Sequence, residues 1–233
     1  MIPRKAKVIP YKFILLLAMF LMTLDLSSAA VAYKMVSINS LLAINSGASF
    51  IFPVTYALGD IITEVYGYSM ARRIVWMSML LQFVFAILIY LDIHLPSPVF
   101  WKGQSAYIFV FNSLIRFIAA GTLANLASNF ANIYLVSKFK IPFEGRFFWI
   151  RSICATLISD FIMVVIVIIV GFYGKEIDLH NTWVLLKSTY VLEVVYAFAL
   201  IIPVAYIARI LKRAENVDVF DDDINYNPFA LTD

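Results

Sequence analysis

The chain has 233 residues, of which 63% are hydrophobic and only 14% are charged. Soluble domains average about 45–50% apolar and about 25% charged residues, so this composition excludes an ordinary water-soluble fold. The formal net charge is +3, and the basic residues stand in short groups beside apolar runs, without interleaved aromatic platforms. That pattern argues against nucleic-acid binding. A single cysteine, Cys154, excludes a disulfide framework.

Six apolar runs follow one another along the chain, and a membrane-spanning helix needs about 20 such residues. The runs are Phe13–Tyr33, Asn45–Tyr66, Ile74–Leu91, Tyr107–Val136, Phe147–Phe172 and Trp183–Leu211. The predicted fold class is therefore an all-α integral membrane protein, with six transmembrane helices in one bundle. We assign residues 1–213 to this six-helix transmembrane domain, with a short basic N-terminal segment, and residues 214–233 to an acidic, solvated cytoplasmic tail.

The lysines and arginines are distributed unevenly about these spans. Thirteen of the eighteen fall on one predicted face: Arg4, Lys5, Lys7, Lys12, Arg72, Arg73, Lys138, Lys140, Arg146, Arg151, Arg209, Lys212 and Arg213. The positive-inside rule places that face and both termini in the cytoplasm, as expected for a multi-pass protein of the cell inner membrane. A cleaved secretory leader ending near Ala30-Val31-Ala32 is the alternative for the first run, although Asp25 interrupts it.

Several ionisable side chains fall within the apolar runs, where each costs at least about 2.5–3.5 kcal/mol on insertion scales. The acids are Asp25, Asp60, Glu64, Asp160 and Glu193, and Arg116 is the one base. Charged residues at this depth mark solute, ion or proton paths. Because five acids and one base do not cancel, the sequence indicates either protonated carboxyl groups or a site that awaits a cationic or donor-rich solute.

The second run contains two of these acids. Asp60 and Glu64 stand four residues apart, so a helix presents both on one face, where they can share one ligand. Residues 45–59 contain two serines, two glycines and a proline, and they predict an irregular helix of the kind that lines cavities. The alternative for Glu64 is a structural pair with Arg72 or Arg73.

The fourth and fifth runs add polar residues at helical spacing. Asn125, Asn129 and Asn132 form a stripe that either lines a cavity or makes hydrogen bonds between helices. Asp160 lies within an otherwise apolar run, where an unpaired carboxylate is very costly. A structural pair with Arg116 is the alternative explanation for Asp160.

The sixth run places aromatic residues around an acid. Tyr190 and Tyr196 stand three residues on either side of Glu193, an arrangement that suits a planar nitrogenous ring. The alternative is a buried carboxyl group bonded to a tyrosine hydroxyl. The candidate substrate-binding residues are Tyr56, Asp60, Glu64, Arg116, Asn125, Asn129, Asp160, Tyr190, Glu193 and Tyr196. No catalytic or metal-binding residues are predicted.

The run Phe52–Gly67, followed by Ala71-Arg72-Arg73, resembles the signature of the queuosine precursor transporter family, also called the vitamin uptake transporter family. The resemblance covers about residues 46–213 and extends to Arg151, Ser152, Thr156, Ser159, Asp160 and Pro203. It implies a six-helix inner-membrane protein that imports 7-deazaguanine bases for the queuosine modification of tRNA. The implied solutes are 7-cyano-7-deazaguanine, 7-aminomethyl-7-deazaguanine and queuine.

The chain departs from the family pattern at two places. Asn129 and Asn132 stand where the family often has a glutamine and an aspartate, and Glu193 stands where a lysine is common. This inversion of charge leads to the hypothesis of a cationic substrate, such as the aminomethyl base or queuine, whose amine Glu193 neutralises. Unchanged uptake and selectivity in a Glu193→Lys variant would contradict it.

The sequence also limits the mechanism. Without a phosphate-binding loop the chain does not hydrolyse ATP, so transport is facilitated or coupled to an ion, with Asp160 or Glu64 as a candidate proton carrier. One alternative is a substrate-binding subunit of an energy-coupling-factor importer. Another is an intramembrane enzyme, although both histidines, His94 and His180, fall in predicted outer loops. The expected partners are a small-molecule solute and membrane lipids, with no cofactor and no nucleic acid; homo-oligomerisation is left open.

Overall fold

The computed structural model describes residues 11–37, 45–171 and 178–230. Some side chains in these ranges lie outside the description, namely those of Asn45, Ser113, Leu114, Arg116, Phe117 and Ala120. The helices are α1 (Ile14–Val31), a 3-10 turn (Gly47–Phe50), α2 (Phe52–Tyr66), α3 (Tyr68–Ile93), α4 (Gln104–Lys138), α5 (Phe148–Gly171) and α6 (Leu179–Glu215). Two short strands, β1 (Met35–Val36) and β2 (Asn45–Ser46), pair antiparallel. The predicted all-helical class is confirmed.

Four of the described helices, α1, α3, α5 and α6, are long and apolar enough to cross a membrane. On α3, Leu80, Phe83 and Leu88 are exposed, and such an apolar outer surface suits lipid rather than water. The helix α2 has 15 residues, and at 1.5 Å per residue it spans roughly 22 Å. The helices α2 and α4 are not among these four, since α2 is short and some side chains of α4 are not described. The count of six spans therefore stays a prediction.

The segment before α2 is irregular, as predicted, but only as far as residue 51. The hydroxyl of Ser46 donates to the carbonyl oxygen of Ala32 at 2.7 Å and accepts the N–H of Ala48 at 3.2 Å, which ties the segment to the end of α1. Pro53 occupies the first turn of α2, where its missing N–H costs nothing. Gly59 lies inside the regular helix α2, so the prediction of an irregular helix is wrong for residues 52–59.

The helices α2 and α3 are separated by Gly67 alone, which has φ of 82°. A Cβ atom at this position would lie 2.7 Å from Val219 Cγ1 and 2.9 Å from Asp221 Oδ1. Glycine therefore serves two purposes here, because it adopts the positive φ without strain and it leaves room for the C-terminal tail.

The helix α2 lies at the centre of the bundle and contacts α1, α3, α4, α5 and α6. All of its residues from Asp60 to Tyr66 are buried. Ile61 and Val65 join the main hydrophobic core, together with Tyr68, Ile133 and Ala208 from three other helices. The polar side chains of α2 are consequently held inside the protein, where neighbouring helices must satisfy them.

Residues 217–230 correct the prediction of a solvated tail. Asp221 is only 3% exposed, and its carboxylate accepts the backbone N–H of Tyr68 at 2.9 Å. Arg72 donates to the carbonyl oxygen of Asn225 at 2.8 Å. The break at the start of α3 leaves N–H groups without helical partners, and the tail supplies one acceptor. Hydropathy alone does not reveal such a contact.

Candidate functional site

A cavity of about 80 Å³ lies between α1, the 3-10 turn and helices α2 to α6; we call it the main cavity. Its polar lining comes from several elements and comprises Asp25, Ser28, Ser46, Ser49, Gln82, Asn125, Thr189 and Glu193. Apolar side chains, including Phe52, Met163 and Leu185, form the rest of its wall. Since a water molecule needs roughly 10–15 Å³ of such space, the cavity has room for several waters or for one small solute.

Four buried polar atoms on the wall of the main cavity have no hydrogen-bond partner among the described residues. They are Asp25 Oδ1, Asn125 Oδ1, Thr189 Oγ1 and Glu193 Oε2. An unsatisfied buried acceptor costs about 1–3 kcal/mol, so this wall favours a ligand that brings donors. The described residues that line the cavity include no lysine, arginine or histidine to offset the two carboxyl groups.

Neighbouring side chains hold two of these acceptors in place. The hydroxyl of Ser78 on α3 donates to the Oδ2 atom of Asp25. The amide nitrogen of Asn125 donates to Gln82 Oε1 at 3.2 Å. One polar atom of each side chain is thus engaged, and the Oδ1 atom of each is left for the cavity. These hydrogen bonds fix the orientation of the two acceptors.

Asp25 also lines a second cavity of about 20 Å³, together with Asn129 and Asn132. Asn132 donates to Asp60 Oδ1 at 2.7 Å. Polar groups therefore continue from the main cavity to Asp60, and we call the series Asp25, Asn129, Asn132 and Asp60 the polar track. The predicted asparagine stripe is thus divided, because Asn125 belongs to the main cavity and the other two to the track.

Asp60 itself is well satisfied. Its other oxygen accepts hydrogen bonds from the hydroxyl of Ser152 and, at 3.3 Å, from that of Thr156. Asp160 lies one turn after Thr156 on α5 and is fully buried. Neither of its carboxylate oxygens has a partner among the described residues. It does not line the main cavity. The two acids therefore differ, since Asp60 is held by three donors and Asp160 by none that is described.

At the end of the bundle where α1 begins and α6 ends, the charges are paired. Glu64 accepts from Arg151 at 3.0 Å and from Lys212 at 2.5 Å. Lys212 also lies 2.9 Å from Asp218, and Lys140 lies 2.6 Å from the same carboxylate. We call these five residues the terminal network. The structural alternative for Glu64 is thus realised, with partners other than the two arginines that the sequence suggested.

Two members of the terminal network, Asp218 in the tail and Lys140 after α4, have shifted pKa values. Burial alone would raise the pKa of Asp218, but hydrogen bonds from Lys140 and Lys212 bring it below its ordinary value. Burial lowers the pKa of Lys140, against the attraction of Glu64 and Asp218. The terminal network therefore favours the ionised form of Asp218, and it links α2 to the C-terminal tail.

The predicted tyrosines do not line the main cavity. Tyr56 is 2% exposed, and its ring packs edge-on against Phe52, which does line the cavity. Tyr190 donates to the carbonyl oxygen of Leu157 at 3.3 Å and packs against Phe161. It therefore does not flank Glu193 in the cavity as the sequence suggested.

The structure places one of the two remaining predicted residues outside the main cavity and does not describe the side chain of the other. Tyr196 is half-buried on α6 and is not part of the cavity wall, and the side chain of Arg116 lies outside the described residues. Asp25, by contrast, was noted as a buried acid but left out of the candidate site. It is the one charged residue of α1, and only the fold brings Gln82 and Asn125 to the same cavity.

Comparison with known proteins gives one match. A family model described as "Putative vitamin uptake transporter" matches residues 46–208, well over half of the 233 residues. The matched range runs from β2 into the last third of α6 and excludes both α1, with Asp25, and the C-terminal tail. Neither a curated protein nor a solved structure matches the chain.

Proposed function

Because the chain belongs to the vitamin uptake transporter family, we propose that it imports a 7-deazaguanine base, a precursor of queuosine, across the cell inner membrane. Apolar outer helix surfaces and membership of this family support a membrane transporter. The observation that carries the choice of solute is the set of unpartnered acceptor atoms in the main cavity.

The chemistry of a guanine-like base suits these acceptors. Its edge presents a ring N–H and an exocyclic amine side by side, and one carboxylate accepts both. Glu193 or Asp25 can take this edge, while Asn125 accepts a further donor. Phe52 and Met163 offer apolar surface for the flat ring, as small-molecule sites usually do.

Release requires the opposite end of the bundle to open. The polar track offers acceptors from Asp25 to Asp60, and beyond it the ion pairs of Glu64 with Arg151 and Lys212 close the route in this conformation. Alternating access in transporters rearranges such closures around a fixed site. Asp160 is the candidate proton carrier if uptake is coupled to protons, because it is buried and no described group neutralises it.

The direct test is uptake of labelled 7-aminomethyl-7-deazaguanine and queuine by purified protein in liposomes, with and without an inward proton gradient. We expect saturable uptake, and a decrease of about tenfold for Asn125→Ala, since a truncated polar contact costs about 1–3 kcal/mol. Asn112→Ala is the matched control, because Asn112 is exposed on the same helix. Stimulation by the gradient that is lost in Asp160→Asn would support proton coupling.

The other outcomes separate the remaining alternatives. Absence of uptake of either base under any gradient would contradict the proposal. Uptake only after co-purified ATPase subunits are added would support a substrate-binding subunit of an energy-coupling-factor importer. Chemical conversion of the base without translocation would support an intramembrane enzyme, which the family membership disfavours.

A further inference from the structure

We infer that Asp25 and Glu193 act together as a two-carboxylate clamp in the main cavity, which makes the transporter selective for a base that carries a positive charge. The inference rests on the proposed function and adds two things to it. It specifies the charge of the solute, and it assigns a binding role to α1, a helix that the family match does not include.

The first step is the position of the two acids. Asp25 comes from α1 and Glu193 from α6, and both line the same cavity of about 80 Å³. They are 2% and 4% exposed, respectively. Asp25 Oδ1 and Glu193 Oε2 have no partner among the described residues. A solute in a cavity of this size therefore meets carboxylate oxygens from two helices.

The second step is the lack of positive charge around them. The described lining of the main cavity contains no cationic side chain. Glu64, near the end of α2, has two cationic partners at 3.0 and 2.5 Å. Burying a carboxylate without a counter-charge is strongly unfavourable. Among the described residues, cations therefore accompany the acid that is structural and none lines the main cavity, so a cationic solute would complete the charge balance there.

The third step concerns the number of acceptors. One carboxylate is enough for the adjacent ring N–H and amine of a neutral guanine-like base. A second carboxylate oxygen, with Asn125 and Thr189 beside it, is surplus for such a base. A protonated amine has three donors and one positive charge, and this surplus matches it. The ring edge and the ammonium group then occupy different acids.

The test measures the dissociation constants of two matched bases, the cationic 7-aminomethyl-7-deazaguanine and the neutral 7-cyano-7-deazaguanine. Both are measured on the purified full-length protein in lipid nanodiscs, by titration calorimetry or competition. We expect the wild type to bind the cationic base at least about tenfold more tightly, which corresponds to about 1.4 kcal/mol. The variants are Asp25→Asn and Glu193→Gln, which keep the shape and an acceptor oxygen.

We expect the variant of the acid that binds the ammonium group to reduce the ratio of the two affinities by about tenfold, with the neutral base little affected. The variant of the acid that binds the ring edge should weaken both bases and leave the ratio nearly unchanged. Because both bases are measured on the same preparation, a partly misfolded variant does not alter the ratio. Asp223→Asn is the control for loss of one negative charge, since Asp223 is exposed in the tail. Its ratio should equal that of the wild type.

Three results would overturn or redirect the inference. Equal affinities in the wild type would mean that the acids are protonated or are neutralised by some group of the protein, and the clamp would be rejected. A ratio that neither variant changes would place the selectivity elsewhere. If neither base binds to or is transported by the wild type, the proposed function itself fails, which is a distinct outcome from failure of the clamp alone.

Discussion

The protein has two regions rich in buried charge, and they differ in how those charges are satisfied. In the terminal network, Glu64 and Arg151 are each 1% exposed, and Glu64 is bound by two cations. In the main cavity, Asp25 and Glu193 are almost as buried, but each has an oxygen without a described partner. Equal burial with unequal pairing distinguishes a structural charge from one that is available to a ligand.

This difference has energetic consequences of opposite sign. Removing one member of a buried ion pair leaves the other uncompensated, which is strongly destabilising. Removing a buried charge that has no partner relieves a desolvation penalty instead. Variants of the terminal network should therefore lose stability, whereas variants of the main cavity should lose transport and keep their fold.

The largest effect is expected for Arg151→Ala. This change leaves Glu64 with Lys212 alone and also removes a hydrogen bond to the carbonyl oxygen of Val136 at 2.9 Å. We expect a loss of about 3–5 kcal/mol, measured by thermal unfolding or denaturant titration of the protein in detergent. Arg213→Ala, an exposed arginine at the same end, should change stability by less than about 0.5 kcal/mol. Equal effects of the two would mean that the ion pair is not structural.

The next largest effect is expected for Asp221→Ala in the tail. The carboxylate accepts the backbone N–H of Tyr68 and, at 2.5 Å, the hydroxyl of Ser137, and both donors would be left buried. The expected cost is about 1–3 kcal/mol, measured in the same unfolding experiment. Asp222→Ala is the matched control, because Asp222 follows Asp221 in the chain and its own carboxylate is exposed. A tail that is merely solvated would show no difference between them.

These two regions also show how far the sequence can be interpreted. Apolar runs predicted the ends of α1, α4, α5 and α6 to within four residues, because a membrane-spanning helix needs a long apolar stretch. The predicted starts of α2 and α3 are displaced by seven and six residues. Glu193 was selected because charge at that depth is costly, and Asn125 because of its helical spacing from other asparagines; both line the main cavity. Which acid meets which cation depends on helix packing. The partners of Glu64 are 87 and 148 positions away in the chain, and no local pattern links them.

The tail and Asp25 were missed for a related reason. The acidic composition of residues 214–233 resembles that of a solvated segment, and the buried contact of Asp221 depends on the glycine break at Gly67. Asp25 has only Ser28 as a polar neighbour at helical spacing in the sequence, and the hydrogen bond that its carboxylate accepts from Ser78 joins α1 to α3. Both contacts are tertiary, so a pattern within a single helix does not contain them.

A smaller effect on stability, with the opposite sign, is expected for Glu193→Gln. The neutral side chain keeps its shape and an acceptor but removes a buried group without a described cation, so the protein should unfold at an equal or slightly higher temperature. Uptake of the cationic base should fall by about tenfold or more in the same preparation. A destabilisation comparable to that of Arg151→Ala would show that Glu193 is structurally paired after all.

The smallest effect concerns pH and the tail. The pKa of Asp218 is lowered in the folded protein, chiefly by hydrogen bonds from Lys140 and Lys212 that outweigh its partial burial. A carboxyl group with a lowered folded-state pKa stabilises the protein above its unfolded pKa, and that contribution disappears as the pH falls through the folded value. Asp218 is 44% exposed, so solvent screens the pairs and the contribution is small. Wild type should therefore unfold at a slightly higher temperature than Asp218→Asn at pH 7, and the difference should vanish on acidification.

Asp222→Asn should show no difference from wild type at any pH, because Asp222 is exposed. A gap between wild type and Asp218→Asn that stays constant as the carboxyl group titrates would mean that the two lysines hold the tail by other contacts, such as the bond from Lys140 to the carbonyl oxygen of Val219 at 2.6 Å.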